Sequence, residues 1–135
     1  MRDNNFLKQR LTQIWSLLFE DTPKLNTVTI RFKGSWKNKF GHIKKTGKDT
    51  EIVVNGLFKN ELVPEYIIDI TIAHELIHYA HGFNSPLKRK YKHPHQGGIV
   101  TKELKIRGFL HMLKKEKLFV KKEWPRIYQI LNNNL

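Results

Sequence analysis

Between Pro64 and Gly82 the chain reads EYIIDITIAHELIHYAH, and this stretch constrains the fold more than any other. Ile67, Ile68, Ile70, Ile72, Ala73, Leu76, Ile77 and Ala80 leave it almost no polar face. A helix that is apolar nearly all round has to be enclosed by other elements, not laid on a surface. The spacing predicts one helix from Pro64, which suits a first helical turn, to about His81, with Gly82 as a left-handed stop. The same helix carries His74, Glu75, His78 and His81. Each of these groups wants a polar partner, and a buried one left alone loses its charge or destabilises the fold.

The rest of the chain has to supply the enclosure. Phe6, Leu7, Leu11, Ile14, Trp15, Leu17 and Leu18 recur at helical spacing, which predicts a helix over 5–19 whose indole and leucines face the core. Residues 27–32, 39–44 and 51–55 read as three strands, the last ended by Asn55-Gly56. A loop with two prolines follows over 83–95. Gly97-Gly98 then allow entry into a helix over 99–107, followed by a helix over 110–118. Pro125 opens a last helix with Ile127, Tyr128, Ile130 and Leu131 on its inner face, and Asn132, Asn133 and Asn134 are expected to fray. No repeat or linker divides the 135 residues. The expectation is a single α+β domain over 1–135: an N-terminal helix, a small three-stranded sheet, the histidine helix, then C-terminal helices.

His74 and His78 are four residues apart, about 40° in projection on one helix face. Two imidazoles so placed can reach one zinc ion at the usual ~2.0–2.1 Å. Glu75 projects about 60° from His78 on the same side, toward the ion's open position. This is the HExxH pattern, in which the glutamate serves as general base. A catalytic zinc site takes a third protein ligand. His95, just before the Gly-Gly entry, is the first candidate, His93 the next, and Glu103 on the following helix the carboxylate alternative. His81 lies ~10.5 Å along the axis from His74, too far for one tetrahedral ion. It reads instead as a group behind the ligands, a group facing substrate, or a cation at the helix C-terminus. His81, His93 or Tyr91 can add a donor for substrate. Asp69 reads as the helix's solvent-facing spot in preference to an orienter of a ligand histidine. His42 and His111 have no spacing argument and suit surface or packing roles.

There is no cysteine, which excludes disulfides, Cys-type zinc ribbons and thiol nucleophiles. Residues 1–10 lack a signal-peptide layout, and no apolar run approaches the ~20 residues needed to span a bilayer. An intracellular, soluble monomer is expected, either cytoplasmic or associated with DNA. The formal net charge is +13 and uneven. Residues 31–48 hold seven Lys/Arg and no acid, residues 49–83 six acids and one lysine, and residues 84–135 thirteen Lys/Arg and three acids. Basic flanks around an acidic middle favour a polyanion, most often nucleic acid. Arg31, Lys33, Lys37, Lys39, Lys44 and Lys45 interleave with Phe32, Trp36 and Phe40, a composition suited to single-stranded DNA. Trp36, in a turn, is the candidate for base stacking, whereas Phe32 reads as core. Lys88, Arg89, Lys90 and Lys92 form a second basic cluster on the loop leading to the candidate third ligand.

HELIH at 74–78, Pro94-His95-Gln96-Gly97, FGHI at 40–43 and EIVVN at 51–55 together resemble the SprT-like zinc metalloprotease domain family, which includes the DNA–protein crosslink protease Spartan. The likeness covers roughly residues 6–108 and leaves 109–135 as a C-terminal helical extension without a zinc ribbon. It implies a zincin-like fold, one zinc ion held by His74, His78 and His95, and Glu75 as catalytic residue. It also implies an endopeptidase acting on DNA-associated or DNA-crosslinked proteins. The chain departs from the pattern at Gln96, which separates His95 from the following glycine and keeps His93 open as the third ligand. Asn84 stands where a metzincin would need its third histidine. Two other readings remain: a noncatalytic nucleic-acid-binding module with structural zinc, and a Glu103-ligated zinc peptidase unrelated to DNA.

Overall fold

The computed structural model describes residues 1–133. The element that organises it is helix α2, Glu65–Ala80, and every residue from Ile67 to Ala80 except His74 is buried. Around it stand α1 (Asn4–Leu18), strands β1 (Val28–Lys33), β2 (Gly41–Thr46) and β3 (Asp49–Asn55), and helices α3 (Ile99–Ile106), α4 (Leu110–Lys122) and α5 (Trp124–Asn133). The architecture is α+β. α2 touches α1, α3, α4, β2 and β3. An all-round apolar helix is thereby sheathed on every side, as its composition requires.

The sheet is mixed, in the order β1-β3-β2. β1 runs parallel to β3, with Ile30 opposite Ile52, and β2 runs antiparallel to it, with Ile43 opposite Ile52. The central strand β3 is buried from Ile52 to Asn55, and β2 is an edge. Asn55, fully buried, accepts from the Leu57 N–H at 3.0 Å and donates to the carbonyls of Trp36 at 2.7 Å and Lys39 at 2.9 Å. One amide thus ties the turn before β2 to the end of β3 and fixes where β2 begins.

Several expectations are corrected. In α1, Leu7, Leu11 and Ile14 are buried, but Leu17 is 74% and Leu18 38% exposed, because the helix ends there and the chain turns away at Phe19. Pro64 is the N-cap of α2 and not its first helical residue, since its ψ of 148° is extended. α4 continues to Lys122, and α5 begins at Trp124, ahead of Pro125. Ile130 is 43% exposed: only Ile127 and Leu131 of that face are buried. Asn132 and Asn133 are within the last helix, and Asn134 lies outside the described residues.

Asp69 is neither a solvent spot nor a histidine orienter. It is 7% exposed and receives a two-pronged ion pair from Arg10, with Nε donating to Oδ1 at 2.9 Å and Nη2 to Oδ2. The pair joins α1 to α2. No helix of the described residues is long and apolar enough to cross a membrane.

Candidate metal centre

His74 and His78 leave α2 one turn apart, as their spacing dictates. Their ring centroids are 4.8 Å from each other. The loop after α2 returns His95 to the same place. Its Nε2 lies 3.2 Å from His74 Nε2 and 3.1 Å from His78 Nε2. Two glycines make the return possible: Gly97 and Gly98 adopt φ of 60° and 67°, left-handed backbone that a side chain would disfavour. The chain then enters α3 directly.

This donor set fits a metal ion. A neutral imidazole carries one N–H, so three Nε2 atoms converging on one another cannot all be satisfied by protons. A tetrahedral zinc with nitrogens at ~2.0–2.1 Å places those nitrogens about 3.3 Å apart, close to the separations that His95 makes with its two neighbours. His74, His78 and His95 form a compact potential ligand group, their donor atoms all within 4.8 Å of one another. Burial, then the neighbouring His95, pushes the His74 ring down to about 4. Burial, then the rings of His74, His95 and His81, pushes His78 down to about 3. Both are therefore neutral at physiological pH, the state in which an imidazole coordinates. His78 Nδ1 is buried without a partner.

Glu75 is 5% exposed and lines the same cleft, about 250 Å³ in volume. Burial pushes its carboxyl up to about 8, against the opposing pull of Lys39. Gly41, the first residue of β2, accounts for this position. A Cβ at Gly41 would stand 2.7 Å from the Val53 carbonyl oxygen, 2.8 Å from Thr71 Cγ2 and 3.5 Å from Glu75 Oε2. Only a residue without a side chain lets the edge strand approach α2 beside the carboxylate. Asn84, at φ 55°, ties the loop after α2 to both strands: its Nδ2 donates to the Ile43 carbonyl of β2 at 3.2 Å, and its own carbonyl accepts from Thr50 Oγ1 of β3 at 2.8 Å. Neither Gly41 nor Asn84 carried a functional signal in the sequence beyond the FGHI segment. His42 also lines the cleft, its ring 5.7 Å from Trp36.

The remaining candidates lie elsewhere. His93 is exposed and outside the cluster, its backbone N–H donating to Gln96 Oε1 at 3.1 Å. Glu103 is drawn away from the ligands. Its Oε1 is 3.3 Å from His81 Nε2 and its Oε2 is 3.3 Å from Arg107 Nε. His81 is 2% exposed, so it does not face substrate; it packs against Tyr91 at 4.9 Å and braces the loop from behind. Tyr91 is likewise absent from the cleft lining. Arg107 extends the network to Asp21, with both Nη atoms donating to its carboxylate at 2.8 and 2.9 Å.

The basic residues differ in their surroundings. Arg31 and Lys44 both pair with Glu51, at 3.2 and 3.4 Å, on neighbouring strands. Lys33 lines a different, largely apolar cleft with Lys59 and Leu131. Lys37 supplies a carbonyl to Trp124 Nε1 at 2.7 Å. Trp36 is half-buried, folded over Gly34, with the Lys39 ammonium 4.5 Å from its ring centre. Lys45, Lys88, Arg89, Lys90 and Lys92 are exposed, and Arg89 stacks on Phe83 at 4.8 Å. Comparison with family models, with curated proteins and with solved structures finds no match to this chain.

Proposed function

We propose that the chain is a zinc-dependent endopeptidase of SprT-like type, with a zincin-like active site, acting on proteins associated with or crosslinked to DNA. The observation that supports it most directly is the meeting of His74, His78 and His95 beside the buried Glu75 at the outer edge of β2. His74, His78 and His95 would hold the ion through Nε2. Bound there, zinc supplies Lewis acidity toward a carbonyl oxygen and acidifies water.

The chain's own residues do the rest. Glu75 Oε2 is the atom that accepts the proton of the attacking water and returns it to the leaving amine. Burial holds this carboxyl up near 8 in the metal-free protein; a dication bound beside it would favour the ionised form, which is the form that can take the proton. Apart from the Ile43 carbonyl, which Asn84 Nδ2 occupies at 3.2 Å, the outer edge of β2 between Gly41 and Ile43 offers backbone groups on which an extended peptide can add as a strand. Gly41 keeps that edge close to Glu75, and Phe83 and Pro94 narrow the cleft from the other side. The basic loop carrying Lys88, Arg89, Lys90 and Lys92 leads to His95, so phosphate contacts there would bring a DNA-bound protein toward the cleft.

The test is a zinc-loaded Glu75→Gln variant incubated with a DNA-bound protein substrate. Under this reading proteolysis disappears while zinc and DNA binding persist. Zinc retained by the wild type with no proteolysis at all identifies the noncatalytic module instead. DNA affinity should also fall steeply between low and moderate salt, because phosphate contacts release counterions.

A further inference from the structure

The cleft at Glu75 does not end at the histidines. Past Gly41 it continues into a second groove of about 340 Å³, lined by Lys39, Phe40, Thr71, His74, Glu75 and Glu116. Glu116 comes from α4, in the C-terminal extension. Among the described residues it enters no ion pair. In a chain with 25 lysines and arginines against 12 acids, a half-buried carboxylate that pairs with no cation among the described residues, not even the Lys39 that lines the same groove, is out of keeping with its surroundings. The nearby lysines are engaged elsewhere. The Lys39 ammonium sits on the Trp36 ring at 4.5 Å and that of Lys115 on the Tyr66 ring at 4.2 Å. Burial alone raises the Glu116 carboxyl above its usual range. An ammonium or guanidinium entering the groove would remove that cost by pairing with the ionised form.

We infer that Glu116 determines specificity at this cleft, selecting protein segments that place a lysine or arginine beside the scissile bond. The inference rests on the peptidase reading above and names its substrate class. An extended peptide alongside β2 passes Gly41, which the two parts of the cleft share together with His74 and Glu75. Side chains on one side of the scissile bond then fall into the groove that Glu116 lines, and those on the other side lie toward Phe83 and Asn84. Proteins that bind DNA are rich in the cations this groove would take.

The experiment uses three matched peptides, with lysine, norleucine or glutamate flanking the scissile position. Each is measured for kcat/KM with the zinc-loaded protein and for binding to the metal-free protein. In wild type the lysine peptide is preferred. In Glu116→Gln that preference falls about ten-fold, the change expected when one charge-assisted contact is lost. In Glu116→Lys it reverses in favour of a glutamate peptide. Cleavage with a preference unchanged in both variants overturns the assignment and leaves the peptidase reading standing. Absence of cleavage, with binding that still depends on Glu116, sinks the peptidase reading and keeps the cation groove. Neither cleavage nor Glu116-dependent binding overturns both. Zinc content and melting temperature of each variant separate these outcomes from misfolding.

Discussion

His95 Nε2 lies 3.1 Å from His78 Nε2, although seventeen residues separate the two along the chain. His93, two residues earlier, is exposed and is not a member of the cluster. Substituting His95 by Ala should therefore lower zinc affinity about a hundred-fold or more, while His93→Ala leaves it near wild type. Glu103→Ala should behave like His93→Ala in metal titrations followed by calorimetry. Loss of metal in Glu103→Ala with retention in His95→Ala would contradict the ligand set.

Gly41→Ala is expected to destabilise the fold by about 1–3 kcal/mol, since the new methyl has to displace either a backbone carbonyl or Thr71. A thermal melt measures it. Adding Thr71→Ser removes the methyl that the new Cβ would meet at 2.8 Å and should recover part of the loss. Full stability in Gly41→Ala alone would show that the strand has slack.

Removing the carboxylate in Asp69→Ala leaves Arg10 beside α2 without its partner. The expected cost is about 2 kcal/mol, below that of a fully buried pair because Arg10 is partly exposed. Zinc affinity should not change, because the pair joins α1 to α2 away from the ligands. A metal titration of the variant checks this directly.

The metal-free protein should show a particular pH dependence of stability. His74 and His78 have folded values of about 4 and 3 against 6.5 for a free ring, so the unfolded chain binds more protons between those values. Their contribution is present above pH 6.5 and is lost as pH falls through the folded values. Glu75 acts in the opposite sense. Its value rises from 4.5 to about 8, so its contribution is full below 4.5 and is lost as pH climbs through 8. Between pH 6.5 and 8 the Glu75 effect stands apart from that of these two histidines. Melting temperature measured across that interval should decline in wild type more than in Glu75→Gln. Equal slopes would mean that Glu75 is ionised in the apo protein.

Saturating zinc should raise the melting temperature, by an amount equivalent to about 2.7 kcal/mol when free metal is a hundred times Kd. The rise should vanish in His74→Ala and in His78→Ala. A chelator should return wild type to its metal-free melting point.

The sequence by itself determined the parts of this molecule that depend on local spacing. Apolar residues distributed nearly all round the helix over 67–80 required it to be sheathed, and a four-residue interval put His74 and His78 on one face. The order of helix, strands and helices followed from periodicity, with errors of one to four residues at the ends. Tertiary structure decided whatever depended on chain return. Periodicity cannot distinguish a polar residue facing water from one facing a distant cation, so Asp69 read as a solvent spot until Arg10 was seen beside it. The sequence ranks His95 above His93 because it stands just before Gly97-Gly98, but only the fold brings its Nε2 to those of His74 and His78. Helical spacing connects Glu103 to Arg107 four residues on, but the contact of Glu103 with His81, 22 residues earlier, depends on chain return, as does that of His81 with Tyr91. Glu116 carried no signal at all, because a glutamate on a lysine-rich helix is unremarked until the fold turns it toward a groove. Side-chain environments of this kind are set by contacts between residues far apart in the chain, and those contacts exist only once the backbone has closed.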